Sequence, residues 1–127
     1  MANEHENKMN YTVYEKEGLG QIQVADEVIA VIAALSATEV DGVESVGDIN
    51  KERISRLGMK SLSKGVRIEL DENGATVDLS IVLTAGSSIP VVTKNIQEKV
   101  KSSIETMAGL TVKAVNIRVA DVLMEEE

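Results

Sequence analysis

Few side chains in this sequence have the type and spacing to attempt chemistry. The adjacent acids Asp26-Glu27 and Asp71-Glu72 are candidates for general acid/base work, which needs a carboxyl whose pKa has been moved toward the working pH. Neighbours at a helix start or a hairpin tip point apart and stay solvated, so neither pair has a physical reason to shift. Ser87 and Ser88 need a base beside them to become nucleophiles, and the single histidine, His5, lies in a polar N-terminal stretch. His5 with Glu4 and Glu6 offers too few fixed ligands for a defined metal site. The absence of cysteine removes disulfides, thiolate metal sites and thiol catalysis. Met59 and Met107 read as packing residues. The expectation is therefore no enzyme, no metal and no cofactor, with the acids and serines used as helix starts and turns.

Charge is distributed more informatively. Between residues 48 and 67, Lys51, Arg53, Arg56, Lys60, Lys64 and Arg67 face only Asp48 and Glu52, a local +4 that leaves −12 for the rest of a chain whose net charge is −8. Segregation on this scale steers partners. These six residues are the partner-binding candidates, for an acidic protein, another copy's acidic tail or anionic lipid heads, set against a simple solvated loop. If the segment closes into a helix, Ile54 and Leu57 share a face beside Arg53 and Arg56, which suits partner contact better than membrane insertion. An RNA-binding module using this patch is an alternative reading. The overall negative charge disfavours nucleic acid, no Gly-x-x-Gly loop joins two helices, and Tyr11 and Tyr14, the only aromatics, fall in the N-terminal stretch. A small lipid or ligand carrier is a further alternative, and it needs an apolar pocket. Gly18-Leu-Gly20 lacks the rest of a dinucleotide fingerprint and precedes a strand, so it reads as a flexible entry to the sheet.

The elements that position these residues follow from hydrophobic period. The chain has 127 residues, suited to one core, and with no Phe or Trp that core must be aliphatic. Residues 1–17 read as a flexible polar tail and 124–127 as an acidic one, around a single domain at 18–123. Ile22 and Val24 alternate as a strand does. Val28, Ile29, Ile32 and Leu35 then repeat at helical spacing, with Asp26 as cap or first-turn acid, giving a helix over 26–38. A short strand at Val43–Val46 follows the Asp41-Gly42 turn. Residues 48–64 read as a basic, partly helical insertion. The runs from Gly65 and Ala75 form a hairpin about Asn73-Gly74. Ser88 caps and Pro90 opens a second helix over 89–107, stopped by Gly109, before a last strand through Val119. The class is α+β: a small mixed sheet with two main helices packed on one face, in the order strand, helix, strand, hairpin, helix, strand. The polar N-terminus and the interrupted apolar runs point to a cytoplasmic protein without a membrane span.

Three stretches, taken in order, resemble the alkaline shock protein family of Gram-positive bacteria, the envelope stress response proteins. They are Gly20-Gln-Ile-Gln-Val-Ala-Asp-Glu-Val-Ile with Val40-Asp-Gly-Val43; Gly65-Val-Arg-Ile with Val77-Asp-Leu-Ser-Ile-Val-Leu; and Ile89-Pro90, Val100 and Met107-Ala-Gly-Leu110 with Val115-Asn-Ile-Arg-Val. Together they cover about residues 18–122. Ala25 stands where the family often has Ser, and Ala85-Gly86 where it often has an aromatic before Gly. The resemblance transfers no catalytic residue. It implies a cytoplasmic stress protein, peripheral at the inner face of the cell membrane, that self-associates into a homo-oligomer and binds a membrane-anchored relative as a structural or adaptor protein.

Overall fold

The computed structural model describes residues 10–16, 18–47 and 65–124. Its elements run β1 (Asn10–Lys16), β2 (Gly20–Ala25), α1 (Asp26–Thr38), β3 (Val43–Val46), β4 (Val66–Asp71), β5 (Gly74–Thr84), α2 (Ile89–Ala108) and β6 (Val112–Leu123). β5 is the axis. One of its edges pairs antiparallel with β4 over Gly74–Leu79 and with β3 over Ile81–Leu83; the other pairs parallel with β6. β3 and β4 meet end to end at Ser80, whose carbonyl accepts from the Gly47 N–H at 2.8 Å and whose N–H donates to Gly65 O at 3.0 Å. The sheet is mixed, as its sequence suggests.

The alternation of β5 builds the core. Ala75, Val77, Leu79, Ile81 and Leu83 are buried, while the residues between them are half-buried on the opposite face. Both helices of the described residues lie on the first face. α2 contributes Val92, Ile96, Val100, Ile104 and Ala108, three or four residues apart, and α1 contributes Ile29, Ile32, Ala33 and Ala37. The small side chains of α1 let it lie close to the sheet. Val28 and Leu35, expected on the packed face of α1, are 38% and 40% exposed, because Ile29, Ala33 and Ser36 set the buried stripe one position along. The buried Ser36 hydroxyl is satisfied by donating to Ile32 O at 2.7 Å.

Local rules fix the ends. Ser88 Oγ accepts from the Val91 N–H, Pro90 occupies the first turn of α2, and the Gly109 N–H closes it on Glu105 O at 3.2 Å. α1 starts after Ala25 with no side-chain cap, so Asp26 and Glu27 act as first-turn acids beside the positive end of the helix. The β4–β5 loop consists of Glu72 and Asn73, with the Asp71 carboxylate accepting from the Asn73 N–H at 2.7 Å, and Gly74 already belongs to the strand. One segment differs from expectation. Residues 10–16, assigned by sequence to a tail, form β1, which pairs antiparallel with β2 in a separate two-stranded sheet. The run Tyr11-Thr-Val-Tyr14, between polar flanks, is rich in strand-forming types.

Two glycines give a test of backbone constraint. Gly74 and Gly86 both have positive φ, +137° and +96°, but a Cβ on Gly74 would stand 2.6 Å from Thr111 O whereas one on Gly86 meets nothing within 4 Å. Gly86→Ala is expected to cost about 1 kcal/mol from conformation alone. Gly74→Ala adds a backbone clash beside the 2.8 Å bond from the Ala75 N–H to Thr111 O. Urea unfolding should rank Gly74→Ala as the more destabilised.

Candidate functional site

Among the described residues, the surface that this packing leaves uncovered is the face of the sheet turned away from the helices, with the outer edge of β6. Register places Arg67, Asp78 and Asn116 in one row across β4, β5 and β6, and Ser80 beside Arg118 in the next. Asn116 Nδ2 donates to Asp78 Oδ1 at 2.9 Å, and Arg67 pairs with Glu69 on its own strand at 3.0 Å. Lys113 pairs with Asp71 at the end of the same face. Gly65, Arg67, Asp78, Ser80, Asn116 and Arg118 border a trough of about 460 Å³ that opens to solvent. Its walls offer hydrogen-bond donors and acceptors with both signs of charge, which suits recognition of a polar surface. It holds no residue paired as a nucleophile with a base.

The edge of β6 is built differently. Three α2 side chains reach backbone groups there: Glu105 Oε2 accepts from the Val112 N–H at 2.9 Å, Lys101 Nζ donates to Val112 O at 3.2 Å, and Gln97 Nε2 donates to Val115 O at 3.0 Å. Lys101 and Glu105 also form an i,i+4 ion pair at 3.3 Å. At the other end of the strand, Asp121 Oδ1 accepts from the Val122 N–H at 2.8 Å. Charged side chains of this kind blunt a sheet edge. Between the two protected ends, Ile117 and Val119 take no backbone partner beyond β5 among the described residues. Past them, Val122, Leu123 and Met124 expose apolar surface.

The Val112 N–H, and after it Lys101, hold the Glu105 carboxyl below its ordinary value, against some desolvation. Lys113, followed by the Asn73 N–H, does the same for Asp71. Both groups therefore contribute stability that is present above their unfolded pKa and is lost as pH falls through the folded one.

Of the partner-binding candidates, Arg67 lies on the open face, paired with Glu69. Lys51, Arg53, Arg56, Lys60 and Lys64 lie outside the described residues, as do the 48–64 insertion they belong to, His5 and the acidic residues 125–127. The base of that insertion is described: a Cβ on Gly65 would stand 2.9 Å from Gly47 Cα, so residues 47 and 65 touch. Asp71 and Glu72 sit at the hairpin, and Ser88 caps α2, the turn and cap positions expected from the sequence. Among the described residues no cluster of His, Asp and Glu could hold a metal ion. The Gln97, Lys101 and Glu105 contacts to β6 were not read from sequence. Their i, i+4, i+8 spacing is the signal that one polar stripe of α2 serves one neighbour.

Residues 14–124 match the alkaline shock protein 23 family, described as having a cell envelope-related function. An uncharacterized protein of Bacillus subtilis, YqhY, is 36% identical over 110 residues, covering 86% of this chain and 82% of its own. An uncharacterized protein of Streptococcus pyogenes, Spy1535, is 36% identical over 111 residues, covering 87% of this chain and 84% of its own. Among solved structures, a variant of MamM-CTD is similar with a TM-score of 0.47 at 13% identity, over 80% of this chain and 100% of that one.

Glu105→Gln keeps the size of the side chain and removes its charge. At neutral pH this variant is expected to melt below the parent chain, and the gap should close as pH falls below about 4, once the parent's own carboxyl is protonated. Thermal melts across a pH series check the sign.

Proposed function

The chain belongs to the alkaline shock protein 23 family, and on that premise we propose that it is a non-catalytic protein of the envelope stress response. It acts as a structural or adaptor protein by binding further copies of itself and a membrane-anchored relative. The observation that carries this reading is the one-sided covering of the sheet. Among the described residues both helices pack on one face, and no other described element covers the opposite face or the β6 edge, which leaves them for protein contact. The polar trough around Asp78 and Asn116 supplies directional hydrogen bonds, and the strand edge supplies backbone groups. Together these give association without requiring any reacting group.

No helix among the described residues is long and apolar enough to cross a membrane. In this proposal the envelope is therefore reached through the membrane-anchored partner, with the protein itself on the cytoplasmic side. The basic set Lys51, Arg53, Arg56, Lys60, Lys64 and Arg67 is the proposed contact for an acidic protein surface, and its attraction should be screened by salt. Nucleic acid is not the proposed partner, since the net charge of −8 repels it.

Light scattering of purified, nuclease-treated full chain over a concentration and salt series tests the reading. The mass is expected to rise above the 13.6 kDa of one chain as concentration grows. Reversing Arg53, Arg56 and Lys60 to Glu should remove the salt-sensitive part of that growth. A mass fixed at one chain under all conditions contradicts self-association, and assembly untouched by the triple reversal removes the basic set as its contact.

A further inference from the structure

We infer that a second copy of this chain adds antiparallel to the outer edge of β6, about a two-fold axis at Ile117, so that the two sheets become one. This rests on the self-association proposed above and names its surface. The β6 sequence from Val112 to Val122 has the same residue classes read from either end. Around Ile117, Asn116 matches Arg118, Val115 matches Val119, Ala114 matches Ala120, Lys113 matches Asp121 and Val112 matches Val122.

Antiparallel pairing about a two-fold sets residues 115–119 directly opposite one another and on the same face of the sheet, and the irregularities at Lys113 and Ala120 fall at nearly matching places on either side of the axis. The faces agree. Val115, Ile117, Val119 and Val122 pair with Val77, Leu79, Ile81 and Leu83, on the helix side. Asn116, Arg118 and Asp121 pair with Asp78, Ser80 and Val82, on the open side, which Lys113 shares through its contact with Asp71. Each copy would then set valine against valine on the helix side, and Lys113 against Asp121 and Asn116 against Arg118 on the open side. Moving the axis to residue 118 sets Arg118 against Arg118, so charge selects the register.

The backbone agrees as well. Val112 and the Val115 carbonyl point away from β5, toward Gln97, Lys101 and Glu105, and strand alternation turns Ile117 and Val119 the same way. Among the described residues no side chain blunts this stretch of the edge, and it lies at the centre of the self-complementary run. Pairing over 115–119 adds about four backbone hydrogen bonds besides the two Val115 carbonyls that Gln97 already holds. The opposite edge of the sheet lacks this continuity, because β3 and β4 are interrupted between Gly47 and Gly65.

The chain has no cysteine, so introduced thiols are the only ones present. The double variant Asn116→Cys with Arg118→Cys is expected to give a disulfide-linked dimer under mild oxidation, and each single variant is expected to remain uncross-linked. Val119→Pro removes an outward N–H at a position where an edge strand tolerates proline, and it should weaken the dimer about tenfold or more while circular dichroism stays that of the parent. If mass grows with concentration but the double variant does not cross-link, or Val119→Pro assembles like the parent, copies meet elsewhere and this register is wrong. A parent chain that stays monomeric throughout overturns the self-association reading itself.

Discussion

The parallel pairing of β5 with β6 is the constraint on which the rest of the fold depends. Two parallel neighbours cannot be joined by a tight turn, so the chain must cross over, and here it does so through α2. The crossover lays α2 against the sheet on the same side as α1, which buries one face and leaves the other half-buried among the described residues. It also sets Gln97, Lys101 and Glu105 beside the edge of β6, where they take up the backbone groups of Val112 and Val115. A hairpin in place of the crossover would have produced neither the helical layer nor the partly guarded edge.

An aliphatic core without Phe or Trp derives its stability from close packing of many small and branched side chains. Ala33, Ala34 and Ala37 on α1 are fully buried, and Ile81, Leu83, Ile96 and Ile104 fill the space between helices and sheet. None of these positions has a polar group that could be put to use in a site. The polar resources of the chain lie on the open face and the strand edge, in pairs such as Asn116 with Asp78 and Lys101 with Glu105. Such exposed pairs add little to stability. In the proposed function they orient side chains along the surface that another copy reads.

Much of this architecture was legible in the sequence, because helix and strand periods differ and the stop signals were strong. Both helices begin where Asp26 and Ile89 indicated, and Gly109 ends the second. β1 is hard to read from sequence because Tyr11 to Tyr14 stand among charged residues, and its pairing with β2 is a tertiary fact that no local pattern announces. On α1, Ile29 and Ile32 are buried as their spacing indicates while Val28 and Leu35 are exposed, since runs of Ala and Ile let helical phase slip without changing composition. The contacts of α2 with the β6 edge required tertiary placement that no local pattern provides. The symmetry of β6, by contrast, was present in the letters, and it acquired meaning once the strand proved to be an edge.

The central claim is that copies join through the backbone of β6 at Ile117 and Val119. Amide hydrogen exchange of the full chain, followed residue by residue from dilute to concentrated solution, tests it most directly. The account predicts that the amides of Ile117 and Val119 exchange fast in dilute protein and become protected as concentration rises, while those of β5 stay protected throughout. Growth in mass with these two amides still exchanging fast would contradict it.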